Sequence, residues 1–290
     1  MQNIENADVN YQYLIVIVRN NNMSVISIIM AAYNVEKTIL ESINSVRAQT
    51  YSNWELIIID DCSTDSTSDI VKIVASSNGL NNNEYVPQIN LLKNVCNLGV
   101  SEARNVGINA AKGEWVAILD SDDIWREDKL EKQMQFIKET NADISYTSTS
   151  YIDVEGVASR YILHAERELS YKDLLKKNIM SCSSVIVRKE IIKQYPFMDT
   201  TGQGITLHED YASWLKILQE NKNAYGLDEP LLTYRLSKSS KSGGRIRSGL
   251  MTFNTYRHVG FGQAASILLT LRYAIHSISK RFFIKMRMWI

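Results

Sequence analysis

The stretch Trp54-Glu-Leu-Ile-Ile-Ile-Asp-Asp-Cys-Ser-Thr-Asp65 passes without a break from apolar, β-branched residues to a cluster of carboxylates. An unbroken apolar run suits a strand buried on both faces, as in a parallel sheet covered by helices. Glu55–Ile59 is therefore read as such a strand. Ligands bind parallel α/β sheets at the carboxyl ends of the strands. The carboxylates after Ile59 stand at such an end.

The same pattern recurs on either side. Val25–Met30 is a second buried strand, running into Ala31-Ala-Tyr-Asn34. Ile39, Ile43 and Val46 then recur at helical spacing. Ser66-Thr-Ser-Asp69 reads as a capping box ahead of Ile70, Val71, Ile73 and Val74. The Asn-rich tract 78–83 is a loop, Ile89–Leu92 a short strand, and Ser101–Ala111 a helix with Gly113 just past its end. Trp115–Leu119 is a fourth strand, running into Asp120-Ser-Asp-Asp123. Alternating strands and helices predict an α/β fold with a mostly parallel sheet. From Asp143 the pattern changes. Ile144–Ile152 alternates and meets a turn at Glu155-Gly156. Tyr171–Lys177 reads as a helix capped by Ser170, Val185–Val187 as a strand and Tyr211–Gln219 as a helix.

Composition narrows the class. The 290 residues, 45% hydrophobic, are enough for one large core or two modest ones. Three cysteines without CxxC spacing argue against zinc fingers and a disulfide framework, and fit a reducing compartment. No apolar run approaches the roughly 18 residues that span a bilayer. The net charge is zero, from 32 basic and 32 acidic residues, yet residues 230–290 hold eleven of the basic ones and none of the acidic. Within them Ile267, Leu271, Ile275, Ile278, Phe282, Met286 and Trp289 recur at spacings of three or four, with Arg272, Lys280 and Arg287 elsewhere on the wheel. That is a basic amphipathic helix.

Three strand ends gather Asp60, Asp61, Asp65, Asp120, Asp122 and Asp123. Like charges so close repel, and a hard divalent cation with oxygen ligands relieves that. Either cluster alone reads better as a helix cap or a turn. Two such clusters, each closing an apolar strand, favour a ligand site.

In order along the chain, Ser27-Ile-Ile-Met-Ala-Ala-Tyr-Asn34, Gln49-Thr50, Trp54–Asp65, Asn97-Leu-Gly99, Ala103-Arg-Asn105, Gly113-Glu114 and Leu119-Asp-Ser-Asp-Asp123 resemble the landmarks of glycosyltransferase family 2. The resemblance implies a GT-A fold, a UDP-sugar donor and Mn²⁺ or Mg²⁺. It implies uracil contacts for Tyr33 and Asp61, a ribose contact for Asp120, the metal ligand at Asp122 and a place near the nucleotide for Arg104. Ala31 and Asn34 belong to the same nucleotide-sugar set. Ala31 stands where the family often has Pro or Thr, and Cys62 where it often has Gly.

His208-Glu-Asp210 resembles the family's Glu-Asp pair, which makes Asp210 the catalytic base of an inverting transfer, with Glu209 and His208 on the acceptor side. The chemistry agrees, since an attacking hydroxyl must lose its proton to a base within hydrogen-bond reach. A helix N-cap would use the same aspartate. Thr233-Tyr-Arg235 resembles a segment after the last core strand, and Arg235, Lys238 and Lys241 are candidates to close over the diphosphate. Asn178–Ser184 weakly matches a segment on the acceptor side.

The expected organisation is an N-terminal extension at 1–22 (or an extra edge strand at Tyr13–Arg19), a catalytic domain at 23–242 and a tail at 243–290. The catalytic domain divides at residue 123 into nucleotide-sugar and acceptor halves, and Gly243-Gly244 is a hinge. The expected partners are the UDP-sugar, a lipid-linked saccharide acceptor in bacterial O-antigen or capsule assembly, and an anionic membrane surface. No nucleic acid is expected. A second copy of the chain is the alternative cover for the tail's apolar stripe. The expected location is the cytoplasmic face of the plasma membrane. The rival classes are a nucleotidyltransferase, for which Ala31–Asn34 lacks the expected Gly-rich loop, and a non-catalytic membrane-associated module.

Overall fold

The computed structural model describes residues 25–76, 88–198, 206–220, 222–236 and 245–288. The predicted extension, the edge strand Tyr13–Arg19, the Asn-rich loop, Lys238, Lys241 and the Gly243-Gly244 hinge lie outside these residues. The elements run β1 (Ile26–Ala32), α1 (Ile39–Arg47), β2 (Trp54–Asp60), α2 (Thr67–Ser76), β3 (Gln88–Lys93), α3 (Val100–Ala110), β4 (Trp115–Ile118), β5 (Ile124–Trp125) and α4 (Lys129–Thr140). Then come β6 (Ile144–Ile152), β7 (Ala158–Leu163), β8 (Glu168–Leu169), α5 (Tyr171–Leu174), a 3₁₀ turn (Cys182–Ser184), β9 (Ile186–Arg188), α6 (Lys189–Gln194), α7 (Glu209–Gln219), β10 (Ala224–Arg235), α8 (Arg245–His258) and α9 (Gln263–Met288).

Ten strands form one sheet. Its main path is β3-β2-β1-β4-β9-β6-β10-β5, with β7 on β6 and β8 on β10. The first four strands are parallel neighbours, and β9 joins β4 antiparallel. Every residue of β2 is buried, and all but Ala31 of β1. Both faces of these strands are therefore dry, and each buried Ile contributes about 1.5–3 kcal/mol relative to exposure. One apolar cluster lies on each face of the sheet. Helix α3 sits close because Gly107 leaves room. A Cβ there would stand 2.5 Å from Ile59 Cδ1 and 2.7 Å from Ile29 Cγ2.

Three local expectations need refinement. The amide of Thr67 donates to Asp65 Oδ1 (2.9 Å), so Asp65, rather than the hydroxyl of Ser66, caps the first turn of α2. Ser170 caps α5 as expected, accepting from the Asp173 amide, but that helix ends at Leu174. At the other end of the chain, α8 is part of the packed molecule. Met251, Thr252, Thr255, Tyr256 and Val259 are buried, and Tyr256 joins one of the two cores.

Helix α9 follows after a short turn and packs on α8 and β7. Its inner side carries Ser266, Leu269 and Tyr273, with Ser266 wholly buried. Its outer side carries Ile267, Leu268, Leu271 and Ile275, exposed by 53–69%. The described part of the predicted stripe thus faces away from the domain. The side chains of Ile278, Phe282, Met286 and Trp289 are outside the described residues. Among the described residues no helix is long and apolar enough to cross a membrane.

Candidate active site

The ends of β1 and β2 form one corner. The amide of Asp61 donates to Ala32 O (2.8 Å), which draws the acid to the tip of β1. Its carboxylate accepts from Asn94 Nδ2 (2.7 Å), the Leu98 amide (2.9 Å) and the Gly99 amide (2.8 Å). Gly99 presents that amide at φ 87°, a left-handed geometry that costs glycine little. Asn34, at φ 52°, accepts from the Thr64 amide on Oδ1 (2.8 Å) and donates its own amide to Ser63 Oγ (3.0 Å). Asparagine tolerates that conformation. Cys62 also has positive φ, 67°, at the turn where the family's usual residue is glycine. Tyr33 stands half-exposed beside these groups, and Ala31 is half-buried beneath them.

The centre of the site lies at the end of β4 and the start of α7. Arg104, on α3, is 5% exposed at its side chain. Its Nη2 is 2.6 Å from Asp120 Oδ1 and its Nη1 3.1 Å from Glu209 Oε1. The guanidinium lies 5.1 Å from the centroid of the Phe197 ring. Arg104 thus bridges an acid of the first half to an acid of the second. Glu209 is the first residue of α7 and Asp210 the second, so the bridge ends beside Asp210.

Asp210 accepts from the Tyr211 amide (2.7 Å). Burial, with Glu209 adjacent, pushes its carboxyl up to about 7, against an opposing pull from Arg104. Asp122 is half-buried, with its own backbone amide as a hydrogen-bond donor and Arg235 and Arg104 as the nearby cations. Burial and the neighbouring Asp120 push it up to about 6. Repulsion of this kind is what a bound cation relieves. Among the described residues no group of three or more His, Cys, Asp or Glu is placed to hold a metal ion. Asp122 would supply a single hard-oxygen ligand, which suits Mg²⁺ or Mn²⁺ rather than an all-protein cage.

The remaining acids brace loops. Asp60 takes the Ser63 amide (2.9 Å) on Oδ1, and Asp65 takes the Glu36 amide (3.1 Å). Asp123, wholly buried, accepts from Ser183 Oγ (2.6 Å) and from the Arg235 amide (3.0 Å), and burial beside Asp122 and Asp120 holds its carboxyl well up. Ser183 in turn accepts from the Asp120 amide (3.0 Å). The acid loop is thereby pinned to both β10 and the 3₁₀ turn. Arg235 turns inward, its Nε donating to Asp122 O (3.0 Å) and its Nη2 pairing with Glu41 on α1. Cys182 is a free, buried thiol pushed upward by desolvation, which suits packing.

Helix α7 is held from below by the C-terminal helices. The His208 amide donates to Thr255 Oγ1 (3.1 Å), and Asn254 Nδ2 donates to Thr206 O (2.9 Å). Tyr211 packs on Tyr256 and Tyr273, with hydroxyl oxygens of Tyr211 and Tyr256 3.0 Å apart. Sequence reasoning missed Ser183, Phe197, Glu41 and Thr255. Only Ser183 carried a signal, as part of the Asn178–Ser184 segment assigned to the acceptor side.

The family model described as Glycosyl transferase family 2 matches residues 27–195. WfaP of Escherichia coli, a UDP-Glc:alpha-D-GlcNAc-diphosphoundecaprenol beta-1,3-glucosyltransferase, is 32% identical over 263 residues, 90% of this chain and 97% of its own. WfgD of Escherichia coli, described with the same activity, is 32% identical over 259 residues, 89% of this chain and 95% of its own. Among solved structures, the 1–349 portion of S. aureus TarS in complex with UDP superposes with a TM-score of 0.63 at 21% identity, covering 89% of this chain and 72% of that one. At that identity the likeness speaks for the fold alone.

Proposed function

This chain is a glycosyltransferase of family 2 with a GT-A-like α/β fold, and from that premise we propose that it transfers a hexose from a UDP-sugar to a saccharide carried on a polyprenyl diphosphate. The transfer inverts the anomeric carbon and uses Mn²⁺ or Mg²⁺ at Asp122. The observation that carries this reading is that Asp120 and Glu209, the neighbour of Asp210, share the guanidinium of Arg104 while Asp122 lies beside Asp120.

In this reading Tyr33 and Asp61 contact the uracil, with Ala31 and Asn34 lining the same corner, and Asp120 contacts the ribose. Asp122 holds the cation. When bound, that cation offsets the charge of the departing diphosphate. The acceptor hydroxyl attacks the anomeric carbon, and Asp210 takes its proton. A carboxylate with a pKa near 7 is poised for that work at neutral pH. One base and one displacement leave no covalent sugar on the enzyme. Glu209 and His208 face the acceptor side, and Arg235 is available to the diphosphate once it leaves Glu41. The functions named for WfaP and WfgD support a UDP-hexose donor and a lipid-linked acceptor, hence O-antigen or capsule assembly.

A lipid-linked acceptor places the enzyme at the cytoplasmic face of the plasma membrane. The outward side of α9 suits that place. It carries Ile267, Leu268, Leu271 and Ile275 with Arg272, while α8 adds exposed Ile246, Arg247 and Leu250. Apolar burial in the interface together with cations at the lipid surface, each worth about 1 kcal/mol, gives peripheral attachment.

The test is a donor screen. The full chain is incubated with UDP- and GDP-sugars, Mn²⁺ and a synthetic GlcNAc-diphospholipid, with product configuration read by NMR. UDP release with an inverted linkage is expected. Release of sugar 1-phosphate in place of UDP would point to nucleotidyl transfer and overturn the reading. Flotation with anionic and neutral vesicles tests the membrane face. A chain that ignores anionic vesicles but dimerises through α9 would assign that face to a second copy.

A further inference from the structure

We propose that Arg104 is the positioning residue that fixes the acceptor-side acids against the donor-side acid loop. It would act through Asp120 and Glu209 rather than by holding the nucleotide. The proposal rests on Asp210 being the base.

The geometry is specific. Asp120 closes β4, in the first half of the chain, and Glu209 opens α7, in the second. The two acids share one guanidinium, through Nη2 at 2.6 Å and Nη1 at 3.1 Å. Two carboxylates at that separation would repel without the cation between them. The Arg104 side chain is 5% exposed, and its Nε, also buried, has no partner among the described residues. A group so desolvated, with one donor unsatisfied, is costly to keep for stability alone.

The floor under it is built as well. Asn105, the next residue, exchanges two hydrogen bonds with the backbone of Phe197. Its Nδ2 donates to Phe197 O (2.8 Å), and the Phe197 amide donates to its Oδ1 (3.1 Å). That clamp sets the wholly buried Phe197 ring beneath the guanidinium at 5.1 Å. The pair Arg104-Asn105 therefore acts as one device, in which Asn105 locks the ring and the ring and two acids lock Arg104. Asp210 follows Glu209 directly on α7, so a shift of Glu209 moves the base relative to the sugar held at the acid loop.

A planar fork makes both contacts at once, whereas an ammonium is a point charge. Lysine therefore keeps the charge and loses the bridge. The experiment uses the full chain with R104K, R104M, E209Q, the R104M/E209Q double variant and D210N, measured at saturating and limiting donor. A misplacement on the ångström scale costs about 100-fold in rate. Turnover in R104K and R104M is expected to fall by that order, with the KM for the UDP-sugar changed by less than about 3-fold. The double variant should lose little more than R104M, because the two groups act as a unit. A raised donor KM with turnover kept at saturation would make Arg104 a nucleotide ligand and overturn the proposal. Unchanged turnover in R104M, with only a lowered Tm, would make it a structural ion pair and equally overturn it. D210N separates the two levels. If D210N turns over normally, the base assignment fails whatever the arginine variants do.

Discussion

Asp61 and Asp210 are both carboxylates of the candidate site, and their surroundings are opposite. Asp61 receives three hydrogen bonds, two of them from backbone amides of the loop before α3. Among the described residues Asp210 receives one, from the amide of the next residue, and it sits beside another acid. The first corner is finished before any ligand arrives. The second is left short of donors and carries a proton at a pH where an ordinary aspartate has none. On the proposed mechanism the contrast separates groups that shape a site from groups that react in it. Interactions held in reserve for the reaction are unsatisfied in its absence.

The contrast can be broken in four places, taken here from the largest expected effect to the smallest. Asp122 belongs with the unfinished group. Asp122→Ala is expected to reduce metal-dependent UDP release to background, while circular dichroism and Tm stay near wild type, since one half-exposed carboxylate contributes little to the fold. Full turnover in that variant, or in the parent with EDTA, removes the metal from the mechanism.

Asp210→Asn is expected to lower turnover by at least about 100-fold, with donor affinity kept. It should also stabilise the protein. The folded-state pKa near 7 lies above the 3.8 of an ordinary aspartate. Between those values the folded state binds the proton more tightly than the unfolded chain, so the parent loses stability as pH rises through this window. Asparagine has no such loss. The gap between variant and parent should open from pH 4 to 7 and reach about 4 kcal/mol above it, roughly 10 °C in Tm. Equal melting of the two proteins at pH 8 would contradict the strained state of this acid.

Asp61→Ala should move stability the other way. The amides of Leu98 and Gly99 lose their acceptor, at a cost of about 2–3 kcal/mol. A rise in Tm would mean that the corner is not finished after all. The smallest effect belongs to Cys62, a non-glycine residue at φ 67°. Cys62→Gly removes a backbone cost of about 1–2 kcal/mol and adds chain entropy of nearly the same size. A net gain of at most about 1 kcal/mol is expected from thermal melting. A loss would mean that the thiol itself contributes to the corner.

The first four strands could be read from the chain because their burial on both faces leaves no polar residue to interrupt the apolar run. The acids at their ends were readable for the same reason, as an abrupt change of polarity. Which acids brace and which react was not readable. Asp123 and Asp122 are adjacent, and only the distant Ser183 and the Arg235 amide claim Asp123 as structure. Helix α4 escaped notice because its buried side includes Lys129 and Gln133, which hydrogen-bond each other (2.8 Å), so its apolar period is broken. Strand β10 escaped because Asp228-Glu229-Pro230 reads as a turn. The strand carries Pro230 where its pairing with β6 shifts register. The floor of Arg104 is a contact between positions 92 apart along the chain, from Asn105 to Phe197, and no local pattern encodes it.

The hydroxyl of Thr255 under the amide of His208 has a consequence for how such enzymes diversify. Residues 206–210 and α8 form one unit of inheritance, because Asn254, Thr255 and Tyr256 complete the backbone and the packing on which α7 begins. A recombination breakpoint between α7 and α8 would separate a loop from its own support. One placed before Thr206 would exchange loop, base helix and both C-terminal helices together. A lineage that acquires a new acceptor by exchange is then expected to inherit the matching C-terminal helices in the same event.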